Sequence, residues 1–117
     1  MSQELPPQVQ NQLLQLQQLQ QQAQMISAQK AQLTMELKEI ELALKELEKV
    51  DDKATVFKSI GGILVKADKQ QVVDELTEKK ETLEVRIKTL ERQEERIKKR
   101  FDEIQNKMKG FFQPAAQ

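Results

Sequence analysis

The reactive side chains of this sequence are carboxylates, amines and hydroxyls, because the chain contains no histidine and no cysteine. Histidine is the commonest general base, and both missing residues are the usual protein ligands of zinc. The adjacent carboxylates Glu94 and Glu95 lie in a stretch dense in lysine and arginine, and Gly61-Gly62 lacks the flanking residues of a phosphate-binding loop. We therefore expect no catalytic activity, no metal and no cofactor. The chemistry that remains is non-covalent binding.

Apolar side chains gather near both ends of the chain in greater number than a helical seam needs. Exposed apolar clusters commonly mark interaction sites, and methionine suits varied contacts because it is flexible and polarizable. The alternative is that these residues pack on one another and close the end of the molecule. The candidate binding residues are Leu5, Val9, Leu13, Leu14, Met108, Phe111 and Phe112.

A second apolar group lies in the middle of the chain. Residues 55–60 and 63–67 are rich in β-branched types, and Gly61-Gly62 between them can adopt the positive φ angles of a two-residue turn. A lone two-stranded hairpin is marginally stable, and its open edges invite pairing with other chains. We therefore predict a hairpin that assembles the protein into an oligomer; the alternative is a hairpin folded down onto its own helices. The candidate oligomerisation residues are Val56, Phe57, Ile60, Ile63, Leu64 and Val65.

Two long helices must carry these binding residues. Apolar side chains recur at alternating steps of three and four from Leu16 to Leu47 and again from Val73 to Phe111, which is the heptad pattern of a coiled coil. Proline suits the first helical turn, while aspartate with a following glutamine suits a helix start and glycine a helix stop. The predicted elements of this single module, residues 1–117, are a helix over 8–50, a hairpin over 54–67, a helix over 69–109, and flexible ends over 1–7 and 110–117.

A hairpin would bring the two heptad seams together as an antiparallel coiled coil. Leu16 of the first seam then faces Ile104 of the second. In every later layer, a residue at heptad position a on one helix faces a residue at heptad position d on the other. Lys30 and Glu94 are polar exceptions in adjacent layers, and we predict that they pair across the seam and help to fix its register. The alternative is that each side chain extends separately to water. The fold class is thus mainly α, with hairpins that join into β-barrels in the oligomer.

Charge and hydropathy narrow the function further. The 117 residues include 19 basic and 19 acidic side chains, and this zero net charge argues against a general nucleic-acid-binding protein. Before Glu36 the only charged side chains are Glu4 and Lys30. No apolar run approaches the roughly 20 residues that cross a bilayer, and residues 1–7 do not have the character of a secretory signal. We expect a cytoplasmic protein.

The hairpin segment VFKSIGGILVK (56–66), placed between two heptad helices, resembles the prefoldin family, and specifically the β class found in archaea. Three helical stretches are also similar to that class: PPQVQNQL (6–13), LQQLQQQAQ (16–24) and ETLEVRIKTLERQEERI (81–97). One departure is Phe57, where many members of the family carry tyrosine. The likeness extends over nearly the whole chain.

The resemblance implies a hexamer of two α and four β subunits, built on a double β-barrel of hairpins. It implies an ATP-independent chaperone, or holdase, that binds non-native proteins at the coiled-coil ends, prevents aggregation and delivers them to a group II chaperonin. The apolar residues near the two termini are the matching client-binding positions. Basic residues near the same end form either a chaperonin contact or a solvated helix face: Lys98, Lys99, Arg100, Lys107 and Lys109.

Two other functions fit parts of the sequence. A structural coiled-coil oligomerisation module explains the heptads but leaves the apolar ends without a purpose. An RNA-binding helical arm explains the paired helices, but it should carry a basic stripe and has no need of a β-hairpin.

Overall fold

A computed structural model describes residues 5–112 of the chain and confirms the mainly α, helix–hairpin–helix fold. The described residues divide into a terminal unit and a hairpin unit. The terminal unit comprises residues 5–30 and 89–112, and the hairpin unit comprises residues 31–88. The elements in chain order are α1 (Pro7–Glu48), β1 (Val56–Ile60), β2 (Ile63–Ala67) and α2 (Lys69–Phe112).

The predicted heptad positions are the sheltered positions of both helices. Every predicted a and d residue in α1 is buried or half-buried, and the same holds in α2 for all positions except Phe111. The buried members of the hairpin unit are Leu33, Ile40 and Leu83. Lys80, which occupies the a position seven residues after Val73, is half-buried. The seam therefore buries a stripe of each helix, as a coiled coil does.

The terminal unit shows that the two helices run antiparallel. Leu19 and Ala23 of α1 line one groove with Ile97 and Phe101 of α2, and Leu16 packs against the buried cluster of Val9, Ile104 and Met108. Residue numbers thus rise along α1 while those of their neighbours fall along α2. This antiparallel order agrees with the predicted register.

α1 ends at Glu48, whereas the prediction extended it to residue 50. The amides of Lys49 and Val50 donate to carbonyls three residues back, those of Glu46 and Leu47, both at 3.1 Å. Such bonds tighten the last turn beyond α-helical geometry. The start is Pro7 rather than residue 8, which agrees with the tolerance of proline in the first turn.

α2 begins at Lys69, as predicted, but continues to Phe112 instead of ending at residue 109. The prediction relied on Gly110 as a left-handed C-cap. Among the described residues the glycines with positive φ are Gly61 and Gly62, so Gly110 remains helical. Residues 1–4 and 113–117, including Pro114 and most of the predicted flexible ends, lie outside the described residues.

The hairpin has a type I′ turn. Ile60 pairs with Ile63, which leaves Gly61 and Gly62 as a two-residue loop with φ angles of 55° and 84°. Positive φ at both central residues defines this turn, and its twist matches that of the flanking strands. The glycine pair thus reverses the chain between β1 and β2.

We expect Gly62→Ala and Gly110→Ala to have opposite effects. A Cβ at either position meets no atom within 4 Å, so the difference comes from the backbone alone. The strained left-handed alanine at position 62 should weaken the hairpin by about 1 kcal/mol. Alanine at helical position 110 should strengthen the last turn of α2 by about 0.5–1 kcal/mol. Amide hydrogen exchange of β1, β2 and α2 measures both; equal protection changes would contradict the turn assignment.

Candidate functional site

The terminal unit contains a small apolar core, here called the terminal cluster. Its centre is Val9, Ile104 and Met108, which are 4%, 2% and 8% exposed. Leu5, Leu16 and Leu19 are partly buried against it. Two predicted binding residues, Val9 and Met108, are therefore closed away in this structure, and Leu5 packs beside them.

The other predicted binding residues of the terminal unit are accessible. Leu14, Phe111 and Phe112 are about half exposed, and Leu13 is 38% exposed. The two phenyl rings lie edge to face, with centroids 5.1 Å apart and planes at 86°. This contact leaves both rings open to a further apolar partner. We call these four residues the exposed terminal set.

The seven predicted binding residues therefore fall into two groups that differ in solvent exposure. Packing closes one part of the group, as the end-capping alternative required, and leaves four residues open, as the binding interpretation required. The heptad pattern indicates which residues of α1 become buried. Val9 lies one heptad before Leu16 and so belongs to the seam, while Leu13 and Leu14 lie outside it.

An apolar groove beside the seam was not predicted from the sequence. The groove is lined by Gln22, Met25 and Ile26 of α1 and by Gln93, Arg96 and Ile97 of α2. Met25 is 65% exposed, although it is apolar and lies off the a and d positions. An apolar residue outside the heptad seam, such as Met25, is the sequence feature that indicates this groove.

An interhelical ion pair joins α1 and α2 in the terminal unit and confirms the predicted pairing of Lys30 with Glu94. Lys30 Nζ donates to Glu94 Oε1 at 3.0 Å, and Glu91 Oε1 lies 3.8 Å away. Both paired side chains are about two-thirds covered, at 34% and 32% exposure. A polar pair in an apolar seam is satisfied in one register only, so it favours the observed alignment.

The hydrogen bond to Glu94 raises the pKa of Lys30 above its ordinary value of 10.5. The negative charges of Glu94 and Glu91 act in the same direction, while partial burial opposes them. Because the folded-state pKa is the higher one, the contribution to stability is complete below pH 10.5. It is lost as the pH rises through the folded-state pKa.

Lys30→Met is therefore expected to lower the melting temperature slightly at pH 7, because it leaves the Glu94 carboxylate without its cation. The difference from the unmodified chain should shrink as the pH rises past 10.5, where Lys30 itself loses its charge. Thermal unfolding by circular dichroism across pH 7–11.5 measures this. Lys99→Met, on the exposed side of α2, is the control and should leave the melting temperature at pH 7 unchanged. A Lys30→Met difference that stays constant with pH would contradict the ion-pair interpretation.

The hairpin unit carries a second exposed apolar surface, here called the hairpin surface. It consists of Phe57, Ile60, Ile63, Leu64 and Val65, which are 60%, 54%, 68%, 71% and 38% exposed. The sixth predicted residue, Val56, is half-buried. The density of large apolar side chains on ten strand residues is high for a surface in water.

Lysine side chains connect the hairpin region to the helices, and the sequence did not reveal these contacts. Lys58 of β1 lies 3.3 Å from Glu75 of α2. Lys69 donates to the Val50 carbonyl at 2.7 Å and to Asp52 Oδ1 at 2.9 Å. The partners are 17 and 19 residues apart in sequence, and helical spacing rules predict contacts only between residues three or four apart.

The remaining polar features are surface features. Among residues 5–112, no three carboxylates converge as metal ligands would, and no described helix combines the length and apolarity of a membrane span. The basic residues near the carboxyl end are all exposed, and Arg100 lies 3.5 Å from Glu103 on its own helix. The basic residues concerned are Lys98, Lys99, Arg100, Lys107 and Lys109.

Comparison with known proteins gives matches along nearly the whole chain. The protein-family model described as "Prefoldin subunit" matches residues 10–115. Prefoldin subunit beta of Archaeoglobus fulgidus is 57% identical over 113 residues, 97% of each chain. That of Methanococcoides burtonii is 50% identical over 109 residues, 93% of each chain. The crystal structure of the prefoldin beta subunit from Thermococcus strain KS-1 superposes with a TM-score of 0.88 at 42% identity, covering 97% of this chain and 99% of that one.

Proposed function

Because the chain belongs to the prefoldin family, we propose that it is the β-type subunit of a cytoplasmic holdase chaperone. In this proposal the assembled protein binds non-native polypeptides without ATP, prevents their aggregation and delivers them to a group II chaperonin. The observation that carries the proposal is the presence of two separate apolar surfaces: the exposed terminal set and the hairpin surface.

The hairpin surface is proposed to assemble the complex. Within residues 5–112 its strands pair only with each other, so each has an outer edge with unpaired backbone groups. Such edges and the neighbouring apolar side chains favour addition of strands from other subunits. The proposed partners are two α-type subunits and three further copies of this chain, in a hexamer whose hairpins form β-barrels.

The exposed terminal set is proposed to bind clients. Unfolded proteins expose apolar segments, and half-exposed phenyl rings offer a large contact area with few rotatable bonds. From Pro7 to Met35, α1 carries one charged side chain, Lys30, so the adjoining surface repels neither acidic nor basic clients. Leu5, Val9 and Met108 would join this site only if the terminal cluster opens.

A dilution experiment tests the proposal. The chain is co-purified with an α-type subunit, and a chemically denatured model protein is diluted into the complex without nucleotide while light scattering is followed. We expect scattering to fall towards zero at about one complex per client. Scattering equal to that of a buffer control would contradict the holdase function and leave the structural coiled-coil interpretation.

A further inference from the structure

We propose that Lys58 and Lys69 are positioning residues that hold the hairpin in one orientation on α2 and so prepare the hairpin surface for assembly. The inference rests on the proposed role of the hairpin in oligomerisation. It adds two specific polar contacts to that role, both inside the hairpin unit.

The strand register separates the hairpin into two faces. Residues directly opposite each other share a face, so Val56, Lys58 and Ile60 lie on one side with Ile63, Val65 and Ala67. Phe57, Leu64 and Lys66 lie on the other side with Ser59. On the first face Val56, Lys58 and Ala67 are half-buried, whereas Ile60, Ile63 and Val65 are exposed. All four residues of the second face are exposed.

The Lys58 contact determines which face turns towards α2. Its ammonium group approaches both carboxylate oxygens of Glu75, at 3.3 and 3.5 Å. Gln71, one turn away on α2, donates to Glu75 Oε1 at 3.4 Å. This oxygen is the nearer one to Lys58, so the hydrogen bond helps to hold the carboxylate in place. The Lys58 face is therefore held against the helix, and the face with Phe57 and Leu64 points away from it.

The Lys69 contact holds the segment that leads into the hairpin. Its side chain is 13% exposed, much less than the usual lysine. The ammonium group binds the Val50 carbonyl, just beyond the end of α1, and the Asp52 carboxylate. A cation suits this position, because carbonyls at a helix C-terminus lack partners and carry partial negative charge. Lys69 thus ties the start of α2 to the segment between α1 and β1.

These contacts act on assembly more than on stability. The carboxylate partners Glu75 and Asp52 are 50% and 92% exposed, and ion pairs with solvent-exposed carboxylates contribute little to the free energy of unfolding. A hairpin that samples many orientations must lose that freedom when it joins other subunits, and contacts that remove the freedom beforehand favour association. Because several copies of the chain are proposed to join one barrel, a small effect per hairpin is repeated in each copy.

Charge reversal tests the inference. Lys58→Glu should raise the dissociation constant of the complex, measured by sedimentation, about five- to tenfold at low salt, since it replaces attraction to Glu75 by repulsion. The double variant Lys58→Glu/Glu75→Lys should recover most of the affinity. Lys69→Met should weaken assembly by a similar factor. Equal affinities for the unmodified chain and Lys58→Glu, or no recovery in the double variant, would overturn the inference.

The matched control is the pair Lys49 and Glu46, whose side chains lie 3.2 Å apart on the exposed surface of the same unit. Lys49→Glu should leave assembly unchanged. Helix content by circular dichroism should stay constant in all variants.

A second measurement separates this inference from the proposed function. The chain has no cysteine, so spin labels can be placed on Cys substitutions at Lys66 and Glu78, both exposed. The interlabel distance distribution should broaden with Lys58→Glu and narrow again in the double variant, even in a monomer. Unchanged distributions would refute the positioning role. Narrow distributions in a chain that never assembles would instead contradict oligomerisation through the hairpin.

Discussion

Phe57→Glu combined with Leu64→Glu is expected to abolish assembly while leaving the helices intact. The two side chains are 60% and 71% exposed in the single chain, so their replacement removes little internal packing. In a joined barrel they would be buried, and each buried side chain of this size contributes about 1.5–3 kcal/mol. Losing both should weaken association at least about a hundredfold, and buried carboxylates would add a further penalty. Native mass spectrometry of the co-expressed subunits measures the loss.

Met35→Glu combined with Leu42→Glu is the matched control. These side chains are 64% and 62% exposed, belong to the same unit and lie on α1. If apolar exposure in general drove association, this variant would dissociate as well. We expect it to form the same complex as the unmodified chain. A stable complex from the hairpin variant would contradict the assembly role of the hairpin surface.

Replacing Leu14, Phe111 and Phe112 with serine is expected to remove most of the aggregation suppression. The three side chains are about half exposed, so their loss should leave the terminal cluster in place. Binding energy at apolar interfaces is concentrated in a few large side chains. We expect the complex concentration needed for half-maximal suppression to rise at least about tenfold, equivalent to the loss of one such residue per site. Light scattering with the intact complex measures this.

Two comparisons make the result specific. Met35→Ser with Leu42→Ser removes apolar side chains that are even more exposed, at 64% and 62%, and should retain suppression. Ile104→Ala, in contrast to the serine variant, removes the most buried side chain of the terminal cluster, which is 2% exposed. It should lower the free energy of unfolding by about 2–5 kcal/mol. Full suppression by the serine variant would show that clients bind elsewhere, and the groove beside Met25 would become the next surface to test.

The regular parts of this fold could be predicted because each depends on local spacing. Heptads determine which helix face is buried, and Gly61-Gly62 determines where the chain reverses. The Lys30–Glu94 pair could be predicted as well, because an antiparallel seam converts sequence distance directly into a spatial partner.

The irregular contacts depend on placement in three dimensions. Lys58 and Glu75 lie on different elements, and a lysine with four rotatable methylene bonds can reach many carboxylates. The pairing of Lys58 with Glu75 joins a strand to a helix, and no helical spacing rule covers such a pair. Gly110 failed as a predicted stop for a related reason, since glycine permits a left-handed cap but does not require one.

The candidate binding site shows the same limit. The sequence analysis predicted seven apolar binding residues near the two ends and treated them as one group. Val9 and Met108 close on Ile104, while Phe111 and Phe112 remain open. Composition counts apolar residues, whereas packing decides which of them water or a client can reach.

Site-specific photo-crosslinking tests the central claim most directly. A photoreactive phenylalanine analogue is placed at Phe112, or at Met35 as a similarly exposed control position. Each complex is irradiated with a denatured client and with the same client in its native fold. We predict client adducts at position 112 with the denatured client alone, and few or none at position 35. Equal yields at the two positions, or no adduct at position 112 while aggregation is suppressed, would contradict client binding by the exposed terminal set.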